Sequence, residues 1–282
     1  MKRFPLKTIS ALASIVTLLV ASTYFMMPLS VNAAGTTITY HADGTPNDVS
    51  GTHNGTWVGP PAYVPGYTGA SGDLAFAIGA MPSYIETDAA VGTFGTDPAT
   101  IDFWFNSQGT KKTRLNPVMS ARSFCGNPSE GWFDIRVGTS LASNNPPGTL
   151  IVEFGDGTNY VNVIGQTDVM DNQWHHIVVT RGSTGVSINV DGALDGSGAS
   201  APANINPSVP YTIFRSPCVG QDGTQDPAAF DSIDEINITR GTSGVGPPTN
   251  KNQCKNHGWA TFTIPRAFKN QGDCIQFVNT GK

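Results

Sequence analysis

The sequence predicts an all-β protein, a two-sheet antiparallel β-sandwich. Three observations carry that expectation. Apolar and polar residues alternate with a period of two in several short segments. The 282 residues include 32 glycines and 20 prolines, which suits short strands joined by many turns. Only 13% of the residues are charged and no long segment shows a 3.6-residue period, which excludes a coiled coil and a highly charged disordered chain.

The chain begins with a targeting signature. Lys2, Arg3 and Lys7 form a basic start, an apolar run extends from Ile9 to Met27, and Val31-Asn32-Ala33 offers a small-residue cleavage site. Residues 1–33 are expected to be a secretory signal peptide, and the protein to be secreted or extracellular. The competing reading is an uncleaved anchor, since the apolar run is long enough to span a bilayer. No second run of that length follows, so no membrane association is expected after cleavage.

The strands follow in order. Ile101-Asp-Phe-Trp-Phe105 alternates. Phe133, Ile135 and Val137 share one face, as do Leu150, Val152 and Phe154 in the next segment. Ile177 and Val179 come next, then Val186, Ile188 and Val190 running into Asp191-Gly192. That dipeptide signals a type I′ hairpin, because both residues tolerate positive φ. Ile236 and Ile238 mark the last strand. Residues 36–243 are thus expected to form one domain, 244–250 a Gly/Pro linker, and 251–282 a small tail too short for a large core.

Four cysteines permit three connectivities. Cys125–Cys218 and Cys254–Cys274 are expected, because each pair stays within one unit. A zinc site would want a CxxC pair or a histidine at ligand spacing, and neither occurs. Charge is uneven: the body holds eight basic against twenty acidic residues, −12, while residues 249–282 hold five against one, +4. A body that acidic is not expected to bind nucleic acid or an anionic surface through bulk charge. Clustered acidic oxygens suit calcium.

Several segments together resemble the laminin-G-like jelly-roll group of the concanavalin A-like lectin/glucanase superfamily. The opening loop Asp43-Gly-Thr-Pro-Asn-Asp48 through Asn54-Gly55, the strands around Ala62–Gly66, Leu74–Phe76 and Ser83–Glu86, and the closing Phe230–Ile238 are similar to that group. Gln173-Trp-His-His-Ile-Val-Val-Thr-Arg181 followed by Ser187-Ile-Asn-Val-Asp-Gly192 is the most specific match. The resemblance implies two packed antiparallel sheets, one with a concave outer face. It also implies a structural calcium ion where the opening loop meets the closing strand, held by Asp43, Asp48, Asn54 and Asp234. The competing reading makes these turn caps and strand-end polar groups. The tail, with Asn250–Trp259 and Phe268–Phe277, resembles a short cysteine-containing segment at the C-termini of secreted bacterial proteins. His257 stands where glycine is expected.

Trp132, Asp134 and Arg136 alternate away from the apolar face, so they share the other one. An exposed tryptophan there is a flat platform for a sugar ring, with a carboxylate and a guanidinium for hydroxyls. Arg122 and Arg215 are expected to join them, drawn together by a Cys125–Cys218 bridge. The competing reading buries Trp132 under a loop. The loop from Ser216 to Pro227, with Asp222 and Asp226, either rims this face or is simply solvated. His175 and His176 adjoin on a strand and so point to opposite faces, which suits structure better than chelation.

A retaining glycosidase needs two carboxylates about 5–5.5 Å apart. No Glu-x-Asp-x-Glu string is present to supply them from one strand, and Asp231 and Asp234 have opposite parity. No catalytic residue is expected. The expected function is non-catalytic binding of an extracellular glycan or glycoprotein. A cell-surface structural or protein-interaction module is the second reading, and a cryptic glycoside hydrolase the third.

Overall fold

The computed structural model describes residues 36–78, 83–107, 115–138, 145–199, 203–219 and 231–241, and in the tail 251–252, 254–255, 259 and 268–280. The expected signal peptide, the linker and the loop positions Asp222 and Asp226 lie outside the described residues.

Strands are numbered along the chain. One sheet holds β1 (Thr36–Tyr40), β3 (Tyr63–Pro65), β4 (Leu74–Ala77), β6 (Ala99–Ser107), β11 (His175–Arg181), β12 (Gly185–Val190), β13 (Ala193–Ala199) and β15 (Asp231–Arg240). Its order is β13-β12-β11-β6-β15-β4-β3, with β1 also paired to β15. The second sheet holds β2 (Thr56–Val58), β5 (Tyr84–Glu86), β7 (Leu115–Ala121), β8 (Trp132–Gly138), β9 (Leu150–Gly155), β10 (Tyr160–Ile164) and β14 (Thr212–Ile213), in the order β10-β9-β8-β7-β14-β5-β2. All the registers are antiparallel. This is the antiparallel sandwich that the alternation predicts, in the jelly-roll form that the resemblance implies.

The inward residues of both sheets form one apolar core. Ile101, Phe103 and Phe105 of β6 and Ile177 and Val179 of β11 meet Phe133, Ile135 and Val137 of β8 and Val152 and Phe154 of β9. At the end of β12 the Asp191-Gly192 turn forms as expected, with φ of 51° and 81°. Pro117 lies at a register shift in β7, where a proline costs the ladder least.

The tail adds one element that the periodicity does not reveal, helix α1 (Gln271–Thr280). Asn270 Oδ1 accepts the Asp273 amide at 3.0 Å and Asp273 Oδ2 accepts the Lys269 amide at 2.8 Å, a reciprocal N-terminal cap. Ten residues are too few for a helix to stand on propensity alone. Cys274, bridged to Cys254, packs with Phe268 and supplies the missing tertiary support.

Candidate functional site

The outward face of the second sheet is built where β8 crosses β9. Cross-strand register sets Trp132 opposite Gly155, Asp134 opposite Glu153 and Arg136 opposite Ile151. A β-carbon at position 155 would lie 2.7 Å from the Trp132 ring, so only glycine leaves the indole room. The loop after β7 then folds back over this face. Arg122 lays its guanidinium 3.7 Å above the Trp132 ring, Tyr160 packs 6.0 Å from it, and the indole N–H donates to Asn127 at 3.2 Å.

This corrects the expected sugar platform. Trp132 and Asp134 are 0% exposed, and Arg136 and Arg122 are buried too. The cause is the Cys125–Cys218 bridge, which ties the loop after β7 to the segment after β14. That segment also brings Val219 onto Leu115 and Ile151, closing the face from the other side.

Beneath the loops lies an ionic cluster. Glu153 Oε2 accepts from Arg122 at 2.7 Å and from Arg136 at 2.5 Å, and its Oε1 accepts the Tyr160 hydroxyl at 2.7 Å. Asp134 Oδ2 accepts Ser216 Oγ at 2.8 Å and sits 3.3 Å from Arg136 and 3.4 Å from Arg122. Burial pushes the Asp134 carboxyl up, against the pull of Arg136, Arg122 and Ser216. Two carboxylates therefore do face each other here, contrary to expectation. Sequence inspection sought them on one strand, whereas the register assembles them from two. Each is clamped by guanidinium groups, and both are buried.

Beside the cluster is an open cleft of about 160 Å³. Arg122, Ser123, Glu86, Arg215, Pro210 and Pro217 line it. Arg122 and Arg215 thus reach one cleft, as the expected bridge requires. Arg215 lies 4.7 Å over the Tyr84 ring and donates to its hydroxyl at 3.0 Å, while Glu86 approaches to 4.0 Å. Glu86, Tyr84, Glu153 and Tyr160 are not among the expected site residues, whereas Ser216 opens the loop expected either to rim this face or to be solvated. For Glu153 a signal exists, since the inward set Leu150, Val152 and Phe154 forces it outward. The partner opposite it needs the register.

The expected calcium ligands do not converge. Asp48 accepts the His53 amide at 3.0 Å and Ser50 Oγ at 2.5 Å, and Asn54 donates to the Gly51 carbonyl at 3.3 Å, all within the opening loop. Asp43 accepts the Leu74 amide at 3.0 Å. Asp234 accepts the amides of Tyr67 at 3.0 Å and Glu235 at 2.9 Å. Among the described residues no three carboxylate, imidazole or thiol groups are grouped to hold a metal ion. Asp43, Asp48 and Asp234 each give oxygens to local amides or hydroxyls, and Asn54 is held through its Nδ2.

His175 and His176 leave β11 on opposite sides, as expected. His175 contacts Asp191 at 2.8 Å and Asp171 at 3.1 Å; His176 contacts Asp102 at 2.9 Å and stacks on Trp104. Burial opposes the charge on His175, but hydrogen bonds to Asp191 and Asp171 outweigh it and raise the imidazole pKa. The Asp102 hydrogen bond raises His176. Burial pushes the Asp234 carboxyl up to about 6 despite two amide bonds, with Asp73 and Glu235 adding repulsion.

All three groups hold protons more tightly folded than unfolded, so their contribution falls as pH rises. The Asp234 share is lost between the usual carboxylate range and about pH 6. The histidine share is complete below their unfolded value and is lost as pH climbs through the raised folded values. Asp48, Asp156 and Glu130, held low in the fold, stabilise above the usual carboxylate range and fail below it. The melting temperature is expected to peak near about pH 5 and decline toward about pH 8. Asp234→Asn should flatten the part of that decline below about pH 6. A Tm series across pH checks this, and a Tm rising steadily from pH 5 to 8 contradicts it.

Two antiparallel sheets packed over one core define a jelly-roll β-sandwich. Residues 79–242 match the laminin G 3 family model, described as the concanavalin A-like lectin/glucanases superfamily, and the chain belongs to that family. No curated protein matches it in sequence. Among solved structures, the binding domain of Paraclostridial Mosquitocidal Protein 1 is similar at a TM-score of 0.54 and 14% identity, over 89% of this chain and 53% of that one. A botulinum neurotoxin type C structure, whose cell entry depends on interaction with two ganglioside molecules, gives 0.54 and 14% over 74% and 48%. Domain 4 of an extracellular arabinanase from Geobacillus stearothermophilus, solved with arabinotriose, gives 0.51 and 16% over 73% and 93%. The chain spans about half the length of the two toxin chains. At these identities the likeness shows the fold.

Proposed function

We propose that the protein is a secreted, non-catalytic module that binds extracellular glycans through the cleft on the outer face of the second sheet. The cleft itself carries the reading. It sets two guanidinium groups, a carboxylate and a serine hydroxyl among proline walls, the mixture of apolar surface and few convergent polar groups that ligand sites use. The similar folds named above, solved as or within proteins that meet gangliosides and arabinotriose, support it. Two disulfides support export, since such bonds persist in oxidising compartments. The clamped Asp134–Glu153 pair supports a binding role over hydrolysis.

A glycan array probed with the intact protein tests this. We expect a defined set of glycans to be retained and Arg215→Ala to lose at least about 1.5 kcal/mol of affinity, a charged hydrogen bond. Circular dichroism and Tm should be unchanged, because Arg215 is 56% exposed. An empty array, or release of reducing sugar from a bound glycan, overturns the reading.

A further inference from the structure

We infer that Phe124 is the ring on which a bound oligosaccharide stacks: the cleft holds one sugar unit, and the next, a pyranose with an unbroken C–H face, lies against Phe124 at the rim. The inference rests on the glycan-binding reading and gives it a residue and a sugar class. Among the described residues only two aromatic side chains are exposed, Phe124 at 52% and Tyr160 at 47%. Both belong to the outer side of the second sheet. Tyr160 leaves β10 beside Glu153, and Phe124 lies in the loop after β7 that folds over Trp132. Tyr160 is committed, its hydroxyl to Glu153 and its ring to Trp132. Phe124 has no polar atom to commit, so its half-exposed ring is left to meet apolar surface.

Phe124 is tied to the cleft on both sides. Ser123, before it, lines the cleft, and Cys125, after it, is bridged to Cys218, the neighbour of the lining residue Pro217. The backbone around the ring is fixed by the same segment. Arg122 donates to the Gly126 carbonyl and closes the turn. Ser123 shares the Glu130 carboxylate with Ser208, which precedes the lining residues Val209 and Pro210. The ring rests against Gly126, where a β-carbon would lie 2.7 Å from ring Cε2. One side of the ring is thus held by backbone, and about half of its surface faces water. A ring fixed before its ligand arrives gives up little freedom on binding.

The cleft and the ring supply different contacts. Arg215 and Ser123 offer polar groups to sugar hydroxyls. The volume, about 160 Å³, is below the range of drug-sized sites, about 300–1,000 Å³, so a longer glycan must leave the cleft across its rim. Phenylalanine presents a flat apolar face and no hydrogen bond, and therefore selects a sugar by its C–H face. β-Linked glucose and galactose pyranoses carry such faces. An exposed apolar side chain is by itself ordinary on a protein surface. What sets Phe124 apart is a rigid ring held between two tethers beside a polar cleft.

The test is calorimetric titration of the intact protein with glucose, cellobiose, cellotriose, galactose and lactose. We expect cellotriose or lactose to bind more tightly than its monosaccharide. Phe124→Ala should lose about tenfold on that oligosaccharide and under about twofold on the monosaccharide. Phe124→Trp should keep or raise the affinity. Phe124→Leu should fall toward the alanine variant, because a branched alkyl group has no flat face. Circular dichroism and Tm of all three should match the parent protein, since the ring is half exposed. Unchanged binding by Phe124→Ala, while Arg215→Ala does lose binding, overturns this inference and leaves the glycan reading intact. An equal loss on monosaccharide and oligosaccharide overturns it too, since the ring would then act through the shape of the cleft. So does full binding by Phe124→Leu. Binding of none of these sugars overturns the inference, and together with an empty array it defeats both.

Discussion

Replacing Arg122 with alanine is expected to cost about 3–5 kcal/mol of stability, a large share of the about 5–15 kcal/mol that holds a domain folded. Arg122 is the buried cation over Trp132 and the shortest-range partner of Glu153 after Arg136. Its removal leaves Glu153 and Asp134 sharing Arg136 alone, one positive charge for two buried carboxylates. The indole also loses the group stacked on it, and a charge over a desolvated ring is worth up to about 2 kcal/mol. The double variant Arg122→Met, Glu153→Gln should lose less than the sum of its single changes, since it removes both charges rather than orphaning one. Urea unfolding of Arg122→Ala, of the double variant and of its two single changes measures this. A loss below about 1 kcal/mol for Arg122→Ala, the size of a surface ion pair, means the cluster is open to water.

Removing the Cys125–Cys218 bridge is the second large effect. The bonded residues are 93 apart in sequence, and on the chain-entropy model such a loop is worth about 4–5 kcal/mol. The Cys254–Cys274 loop, 20 residues, is worth about 3. Losing the first bridge should also act locally. It frees the loop that carries Arg122 and the segment that carries Arg215, so glycan binding should fall in protein that is still folded. Cys125→Ser with Cys218→Ser is expected to lower the unfolding midpoint and redden the Trp132 emission, while Cys254→Ser with Cys274→Ser lowers stability without touching binding. Equal binding by the first pair of variants would show that the cleft holds its shape without the staple.

Counting units was enough to pair the cysteines, because each pair lies inside one predicted unit. Counting parity was enough to place Trp132, Asp134 and Arg136 on one face. Parity is silent about what lies above that face. The loop from Arg122 to Gly131 has no periodicity, and its path over the indole depends on a bridge to a residue 93 positions away. The exposed platform expected for Trp132 failed for that reason. The expected calcium ligands show the same limit. Asp43, Asp48 and Asp234 are acidic and sit in the right order, but their oxygens are claimed by nearby amides whose geometry only the folded loops define.

Side-chain alternation and turn chemistry alone determined the sandwich, its inward residues and the Asp191-Gly192 hairpin. These are local properties, since a strand displays every second residue to the same side wherever it is placed. Register and loop cover were settled by packing. Setting Asp134 against Glu153, sealing both beneath Arg122 and opening a cleft between Arg122 and Arg215 all require residues from four separate segments to meet. Such long-range pairings are chosen by the burial of the whole core and by a covalent link, and no short window of sequence contains them.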